Sequence, residues 1–116
     1  MKQIFFLIIP IFLYSTSSFI TPKEYAAQLY KNPRGIGCHL CHGNKGEGKR
    51  IANYIHKKEK RSFDGPAINT VNYREFHAAL SQRIEGMPRY FLTDSEIEAL
   101  YLHLHQNDKK KKKSAK

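Results

Sequence analysis

The sequence is poor in the residues with which small domains usually complete a core. It contains no tryptophan, two cysteines and two methionines, one of them the initiator. By length, a chain of 116 residues is one domain. A domain this small often depends on a disulfide, a metal or a cofactor. Because two cysteines can form only one bridge, a disulfide scaffold is excluded, and the composition favours a large apolar prosthetic group.

Long apolar segments are also scarce. The one long apolar run covers residues 4–14 and is interrupted by Pro10, whereas a membrane-spanning helix needs roughly 20 apolar residues. Lys2 precedes this run and small residues follow it. The pattern predicts a secretory signal peptide over residues 1–18, cleaved near Ser17 or Ser18; an uncleaved anchor is the alternative.

Most of the positive charge lies at the other end of the chain. The whole sequence has a formal net charge of +10, but residues 19–108 hold 13 basic and 10 acidic residues, a balance of only +3. Residues 109–116 contain six lysines. Such a block of like charge cannot bury itself, so we expect a disordered lysine-rich tail. The folded domain is therefore expected to occupy residues 19–108.

Three segments carry a helix-starting pattern in which a capping residue is followed three positions later by glutamate. The pairs are Thr21 with Glu24, Asn72 with Glu75, and Thr93 with Glu96. The first predicts a helix from Pro22 to about Lys31, which the Pro/Gly-rich segment 32–37 stops. Behind the other two pairs, apolar residues recur every three or four positions. This spacing predicts one helix that ends at Gly86 and another that ends near residue 106.

The segment RIANYIHKKEKRSF, residues 50–63, has no clear period. It fits neither the helical nor the strand repeat, so a short helix and an extended hairpin are equally open. Three capped helices and no convincing strand indicate an all-α domain, with three or more short helices wrapped around the prosthetic group.

Both cysteines lie in one motif, CHLCHG, at residues 38–43. On a helical turn, Cys38 and Cys41 face the same side and His42 lies one turn on from Cys38, so two thiols and an imidazole converge. Cys-x-x-Cys-His is the signature of covalent haem attachment, with two thioethers on the macrocycle and the histidine under the iron. The motif therefore favours one haem c.

Three other interpretations of the motif are weaker. A structural zinc site usually needs a second pair of ligands, and the sequence has no second Cys-x-x-Cys. A thiol redox pair is typical of a βαβ context, which the sequence does not predict. A disulfide between cysteines this close would constrain little chain. All three remain minor alternatives.

The second axial position of a haem iron needs another ligand. Met87 is the only methionine inside the predicted fold, and it lies between Gly86 and Pro88 just before the last predicted helix. A thioether on such a loop can reach the iron from the face opposite His42, and His/Met ligation raises the reduction potential. Two alternatives stay open, namely that Met87 only fills the core or that a histidine is the ligand. The candidate histidines are His56, His77, His103 and His105.

Three stretches, in order, resemble class I cytochrome c, and in particular its small bacterial members. They are CHLCHG, GPAI at residues 65–68 and GMPRYFLTDSEIEALYLHL at residues 86–104. The resemblance covers about residues 21–106. It implies the cytochrome c fold, in which the first and last helices cross. The wide NPRGIG segment leaves the register of that crossing open. The expected contact residues are Ala26 and Tyr30 against Leu100 and Tyr101.

The resemblance also implies a set of site residues. Cys38 and Cys41 would carry the thioethers, His42 would be the proximal iron ligand and Met87 the distal one. Pro66 would accept, through its carbonyl, the proton on the other ring nitrogen of His42, a bond that orients the ring and tunes the metal.

By the same resemblance, the protein is expected to be a monohaem electron carrier of a bacterial respiratory chain rather than an enzyme. The expected location is the periplasm, with association to the outer face of the inner membrane as a further option. Redox proteins with acidic docking surfaces, or an anionic membrane surface, fit the basic charge. Nucleic acid and small-molecule substrates are not expected. A haem subunit of a larger oxidoreductase and a haem-based sensor with a labile distal ligand are the alternatives.

Overall fold

The computed structural model describes residues 19–108. The predicted signal peptide, residues 1–18, and the predicted lysine-rich tail, residues 109–116, lie outside these described residues. Within them, no helix is long and apolar enough to cross a membrane. The described residues contain four helices and two strands. In chain order these are α1 (Pro22–Lys31), α2 (Cys38–His42), β1 (Lys49–His56), β2 (Glu59–Gly65), α3 (Tyr73–Ser81) and α4 (Asp94–Leu104).

The three predicted helices begin where their caps place them. Thr21 accepts a hydrogen bond from the Glu24 amide and Glu24 binds back to the Thr21 amide, which completes a capping box at α1. Asn72 and Thr93 cap α3 and α4 by accepting from the amides of Glu75 and Glu96, without the reciprocal bond. The predicted end of α3 at Gly86 is wrong, because the helix stops at Ser81. Residues 83–88 instead form a loop, of which residues 84–88 line a cavity.

The hydrophobic core lies between α1, α3 and α4. Its buried members are Leu29, Tyr30, Cys38, Phe76, Ile97, Leu100 and Leu104. Packing of α1 against α4 buries Ala26, Tyr30 and Leu100, three of the four residues expected at the helix crossing. Tyr101, the fourth, is only half-buried; its ring lies 5.2 Å from that of Tyr73 and 5.7 Å from that of Phe76, both on α3. It therefore belongs to the contact between α3 and α4.

The segment of unclear period is an antiparallel hairpin. Strands β1 and β2 pair from Lys49 opposite Gly65 to His56 opposite Glu59, with a bulge at Ile51. The prediction of an all-α domain is incomplete, since this two-stranded sheet stands beside the helices. Every residue of the hairpin except Gly65 is exposed along both strands. Without a buried face, the strands have no reason to alternate apolar and polar residues, so their sequence carries no strand period.

The turn of the hairpin is made by two lysines. Lys57 and Lys58, between the paired residues His56 and Glu59, have φ angles of 50° and 66°. A two-residue turn with both φ angles positive is the type that favours Asn-Gly. A side chain in this left-handed region costs about 1–2 kcal/mol per residue. The turn therefore holds two lysines at positions that its backbone disfavours.

Candidate cofactor site

The short helix α2 carries the whole Cys-x-x-Cys-His motif. Gly37 caps its N-terminus in an extended conformation, and Gly43 ends it with a φ of 84°, a value that glycine adopts readily. Cys38 and His42 are buried and Cys41 is half-buried. No disulfide joins the two cysteines. As predicted for one helical turn, all three side chains line the same cavity.

This cavity, which we term the cofactor cavity, has a volume of about 250 Å³. Its walls come from every part of the fold and are mostly apolar. Besides the motif, the lining includes Tyr30, Ile51, Phe63, Pro66, Ile68, Phe76, Ala79, Leu80, Ile84, Gly86, Met87, Pro88, Tyr90 and Leu100. A concave, mostly apolar site with a few directed polar groups is the usual form of a cofactor site.

The ring of His42 is fixed by the backbone of the segment that follows the hairpin. His42 Nδ1 lies 2.7 Å from the carbonyl oxygen of Pro66. Because a carbonyl can only accept, Nδ1 carries the proton and Nε2 remains as the free electron-pair donor. The Gly48 amide also donates to the His42 carbonyl at 2.7 Å, which holds the backbone of the residue in place. The bond to Pro66 has the arrangement that the resemblance implies.

Met87 belongs to the loop between α3 and α4. Its amide donates to the Ile84 carbonyl at 3.2 Å, and Gly86 before it has a φ of 81°. The Met87 side chain is half-buried and lines the cofactor cavity together with His42. A Cβ on Gly86 would lie 3.2 Å from Phe63 Cζ, so the hairpin packs directly against this loop.

A tyrosine and an arginine attach the Met87 loop to the segment before α2. Tyr90 donates its hydroxyl to the Ile36 carbonyl at 2.6 Å, and burial raises the pKa of Tyr90 to about 12. Arg34 donates to the Phe91 carbonyl at 2.8 Å and pairs with Glu96 at 2.6 Å. These contacts join the two segments that carry the motif and the methionine.

The four histidines considered as distal ligands lie elsewhere. His56 is at the exposed end of β1, and His77 Nε2 pairs with Asp94 at 2.8 Å. His103 packs its ring 5.6 Å from that of Tyr30, and His105 stacks on Tyr101 at 4.0 Å. None of the four lines the cofactor cavity, whereas Met87 does. The geometry thus favours Met87 among the candidates, and its ligation of iron stays a prediction.

The environment of the motif disfavours the metal and thiol alternatives. Within residues 19–108, no three His, Cys, Asp or Glu side chains are grouped as a metal ion would require. Burial raises the pKa of the Cys38 thiol to about 11. The reactive cysteine of a thiol redox pair has a lowered pKa, so this environment disfavours a redox pair. Two thiols and an imidazole on one apolar cavity instead fit a planar macrocycle held by thioether bonds.

Sequence analysis missed several residues that shape this site. A Cβ on Gly65 would collide with the backbone carbonyl of Cys41, so only glycine lets the hairpin end pack on α2. Ile51 and Phe63 of the hairpin form one wall of the cavity. Tyr30, expected in the core, is buried there and also donates to the Gly43 carbonyl at 2.6 Å. GPAI contains Gly65, but no local pattern indicates its contact with Cys41.

Comparison with known protein families matches residues 24–108 to the family described as Cytochrome c. The match covers most of the chain, and the chain belongs to the cytochrome c family, as the sequence resemblance indicated. Its cofactor is covalently attached haem c with its iron, and it is a haem-binding electron carrier with redox proteins as partners. No match was found among curated proteins or among solved structures.

Proposed function

We propose that the protein is a monohaem carrier of a bacterial respiratory chain, with Cys38 and Cys41 as thioether residues and His42 and Met87 as axial ligands. The observation that carries this proposal is the convergence of these four side chains on one apolar cavity. The bound haem supplies one-electron exchange between ferrous and ferric iron. The protein has no substrate of its own to transform.

The groups around the cavity would orient His42, exclude water and hold the Met87 loop. The Pro66 carbonyl holds the proton on Nδ1 of His42, which fixes the ring and increases the basicity of Nε2. The apolar lining excludes water and so tunes the reduction potential. Phe63, packed against Gly86, holds the loop that presents Met87.

The proposed setting follows the charge and the N-terminal sequence. We place the mature protein in the periplasm, exported by a signal peptide over residues 1–18 and able to associate with the outer face of the inner membrane. The partners are redox proteins with acidic docking surfaces and an anionic membrane surface, since residues 19–116 hold 19 basic and 10 acidic residues, a balance of +9. Such attraction mainly accelerates encounter and weakens as salt rises.

The first test is the intact mass of the denatured protein, produced in a cell that attaches haem. A mass increased by one haem, and lost in Cys38→Ser/Cys41→Ser, is the expected result. A mass equal to the bare chain would overturn the assignment of the two thioether residues. The same spectrum locates the cleavage site.

The second test separates Met87 as a ligand from Met87 as packing. Met87→Ala should change the ferric spectrum and lower the potential, within the span of about 0.8 V that axial ligands set. Ile84→Ala is the matched control, because Ile84 lines the same cavity from the same loop without a sulfur. Equal spectra and potentials in wild type and Met87→Ala would exclude the thioether ligand. Carbon monoxide binding to the unaltered ferrous protein would favour a sensor with a labile ligand.

A further inference from the structure

The hairpin tip, residues 54–61, exposes two apolar side chains that are consecutive on β1 and so lie on opposite faces of the hairpin. Tyr54 is 48% exposed and Ile55 is 73% exposed. Single exposed apolar residues are normal on protein surfaces. Ile51 and Phe63 at the base of the hairpin have a function, because they line the cofactor cavity. Tyr54 and Ile55 do not line the cavity, so they are available for contact with another surface.

The same tip is strongly basic. Residues 54–61 hold four Lys or Arg residues and one glutamate. Glu59 pairs with Arg61 at 3.2 Å. Among residues 19–108, no carboxylate lies within ion-pair distance of Lys57, Lys58 or Lys60. Lys60 is the cross-strand partner of Ile55, and Lys57 and Lys58 form the turn two and three residues further on.

The positions of two of these lysines carry backbone strain. Lys57 and Lys58 form the turn with φ angles of 50° and 66°, where Asn-Gly is the favoured sequence. Strained residues concentrate at functional sites, where another requirement opposes the local preference. The turn itself does not need lysine, and it holds two positive charges at the end of the hairpin at a cost in backbone energy.

We propose that the hairpin tip binds an anionic phospholipid surface. The ammonium groups of Lys57, Lys58 and Lys60 meet the headgroup phosphates. Ile55 enters the boundary with the acyl chains, and Tyr54 lies at the level of the headgroups. This inference deepens the membrane association proposed above and is independent of the axial ligands of the haem.

An acidic protein is a weaker candidate for the occupant of the tip. Six residues separate Lys57 from Ile51 at the cavity wall, which corresponds to about 20 Å along a strand. Electron tunnelling falls steeply with distance, so a redox partner is expected to dock nearer the cavity. Acidic side chains would also leave Ile55 without an apolar contact. A lipid interface accommodates both the charges and the apolar side chain.

The test uses the full-length haem protein and vesicles of phosphatidylglycerol and phosphatidylcholine, with pure phosphatidylcholine vesicles for comparison. Lys57→Asn/Lys58→Gly removes two charges and supplies the favoured turn sequence. It should weaken sedimentation with anionic vesicles by about 25-fold, roughly fivefold per lysine, and leave the melting temperature equal or higher. Ile55→Ser should weaken it by about tenfold without a change in charge. Arg74→Gln/Arg83→Gln removes two exposed charges elsewhere and should have little effect.

A fluorescent reporter separates the tip from other basic or apolar parts of the chain. The sequence has no tryptophan, so Tyr54→Trp introduces a single one. Its emission should shift to the blue and become protected from aqueous quencher on anionic vesicles. Vesicle binding without this shift would overturn the proposal. A second pattern would also overturn it. If the lysine variant loses binding to both poly-glutamate and vesicles, and Ile55→Ser keeps binding to both, the charges alone act and the tip fits an acidic protein partner.

Haem content and reduction potential, measured on every variant, distinguish this proposal from the electron-carrier function. If the tip variants keep both but also keep full vesicle binding, only the membrane proposal fails. If the wild-type chain carries no haem, only the carrier function fails.

Discussion

Two regions of the molecule differ in burial and in charge. They are the hairpin, residues 49–65, and the helical body, which is the rest of residues 19–108. The body contains the whole apolar core, whereas the hairpin is exposed along both strands up to Gly65. The hairpin holds six basic and two acidic residues, a balance of +4; the body holds seven and eight, a balance of −1. The body is therefore stabilised by apolar burial, and the hairpin serves as a cavity wall and a charged surface.

The largest effect is expected where the two regions join. Gly65→Ala forces a methyl group into the Cys41 carbonyl, and neither backbone can move without displacing α2 or the hairpin. We expect the free energy of unfolding to fall by on the order of 4 kcal/mol, as measured by denaturant unfolding of the haem protein. Gly35→Ala is the control, since its Cβ would lie at an ordinary 3.5 Å from Tyr90. Equal stabilities of the two variants would show that the joint is not tightly packed.

A pair of isoleucine truncations compares the two regions directly. Ile97 on α4 is 2% exposed, and Ile97→Ala should cost about 3 kcal/mol through lost burial and the cavity left behind. Ile55→Ala removes the same atoms from an exposed strand and should change stability by less than about 1 kcal/mol. Chemical denaturation of both variants gives the comparison, and similar losses would contradict the division into body and hairpin.

The hairpin should influence the haem through Phe63. Phe63→Ala removes the ring that packs against Gly86 and opens one wall of the cavity to water. The potential and ferric spectrum should shift in the direction of Met87→Ala but by less, because the ligand itself is retained. Tyr54→Ala is the control, since Tyr54 lies further along the hairpin and does not line the cavity. An unchanged spectrum in Phe63→Ala would show that the loop holds Met87 without the hairpin.

The smallest effect concerns acid stability. Burial, and to a lesser degree Lys23, lowers the pKa of His103 below its ordinary value of 6.5. The unfolded chain therefore binds a proton more readily, so the stability that His103 contributes is present above pH 6.5 and is lost as pH falls through its folded pKa. His103→Gln should flatten the loss of melting temperature below pH 6.5. His56→Gln, on the exposed hairpin, should leave the profile of the wild type unchanged.

The helix starts and the motif could be predicted because they are local. A capping box involves residues three positions apart, and Cys-x-x-Cys-His occupies a single helical turn, so neither needs the rest of the chain. The end of α3 was predicted too late, since apolar residues continued at helical spacing past Ser81. Ile84 fits that spacing but lines the cavity from a loop. The sequence pattern shows that a residue is apolar, but it does not show whether a helix or a loop places that residue in a buried site.

Sequence alone determined the caps of α1, α3 and α4, the haem-attachment motif and the family. Tertiary structure decided the hairpin, the contact of Gly65 with Cys41, the wall made by Ile51 and Phe63, and the pairing of Tyr101 with α3. The physical reason is that a sequence pattern arises from local burial. Periodicity appears in a sequence only where one face of an element is buried, and both faces of the hairpin are largely exposed. Contacts between residues distant along the chain depend on packing, which no short stretch of sequence specifies.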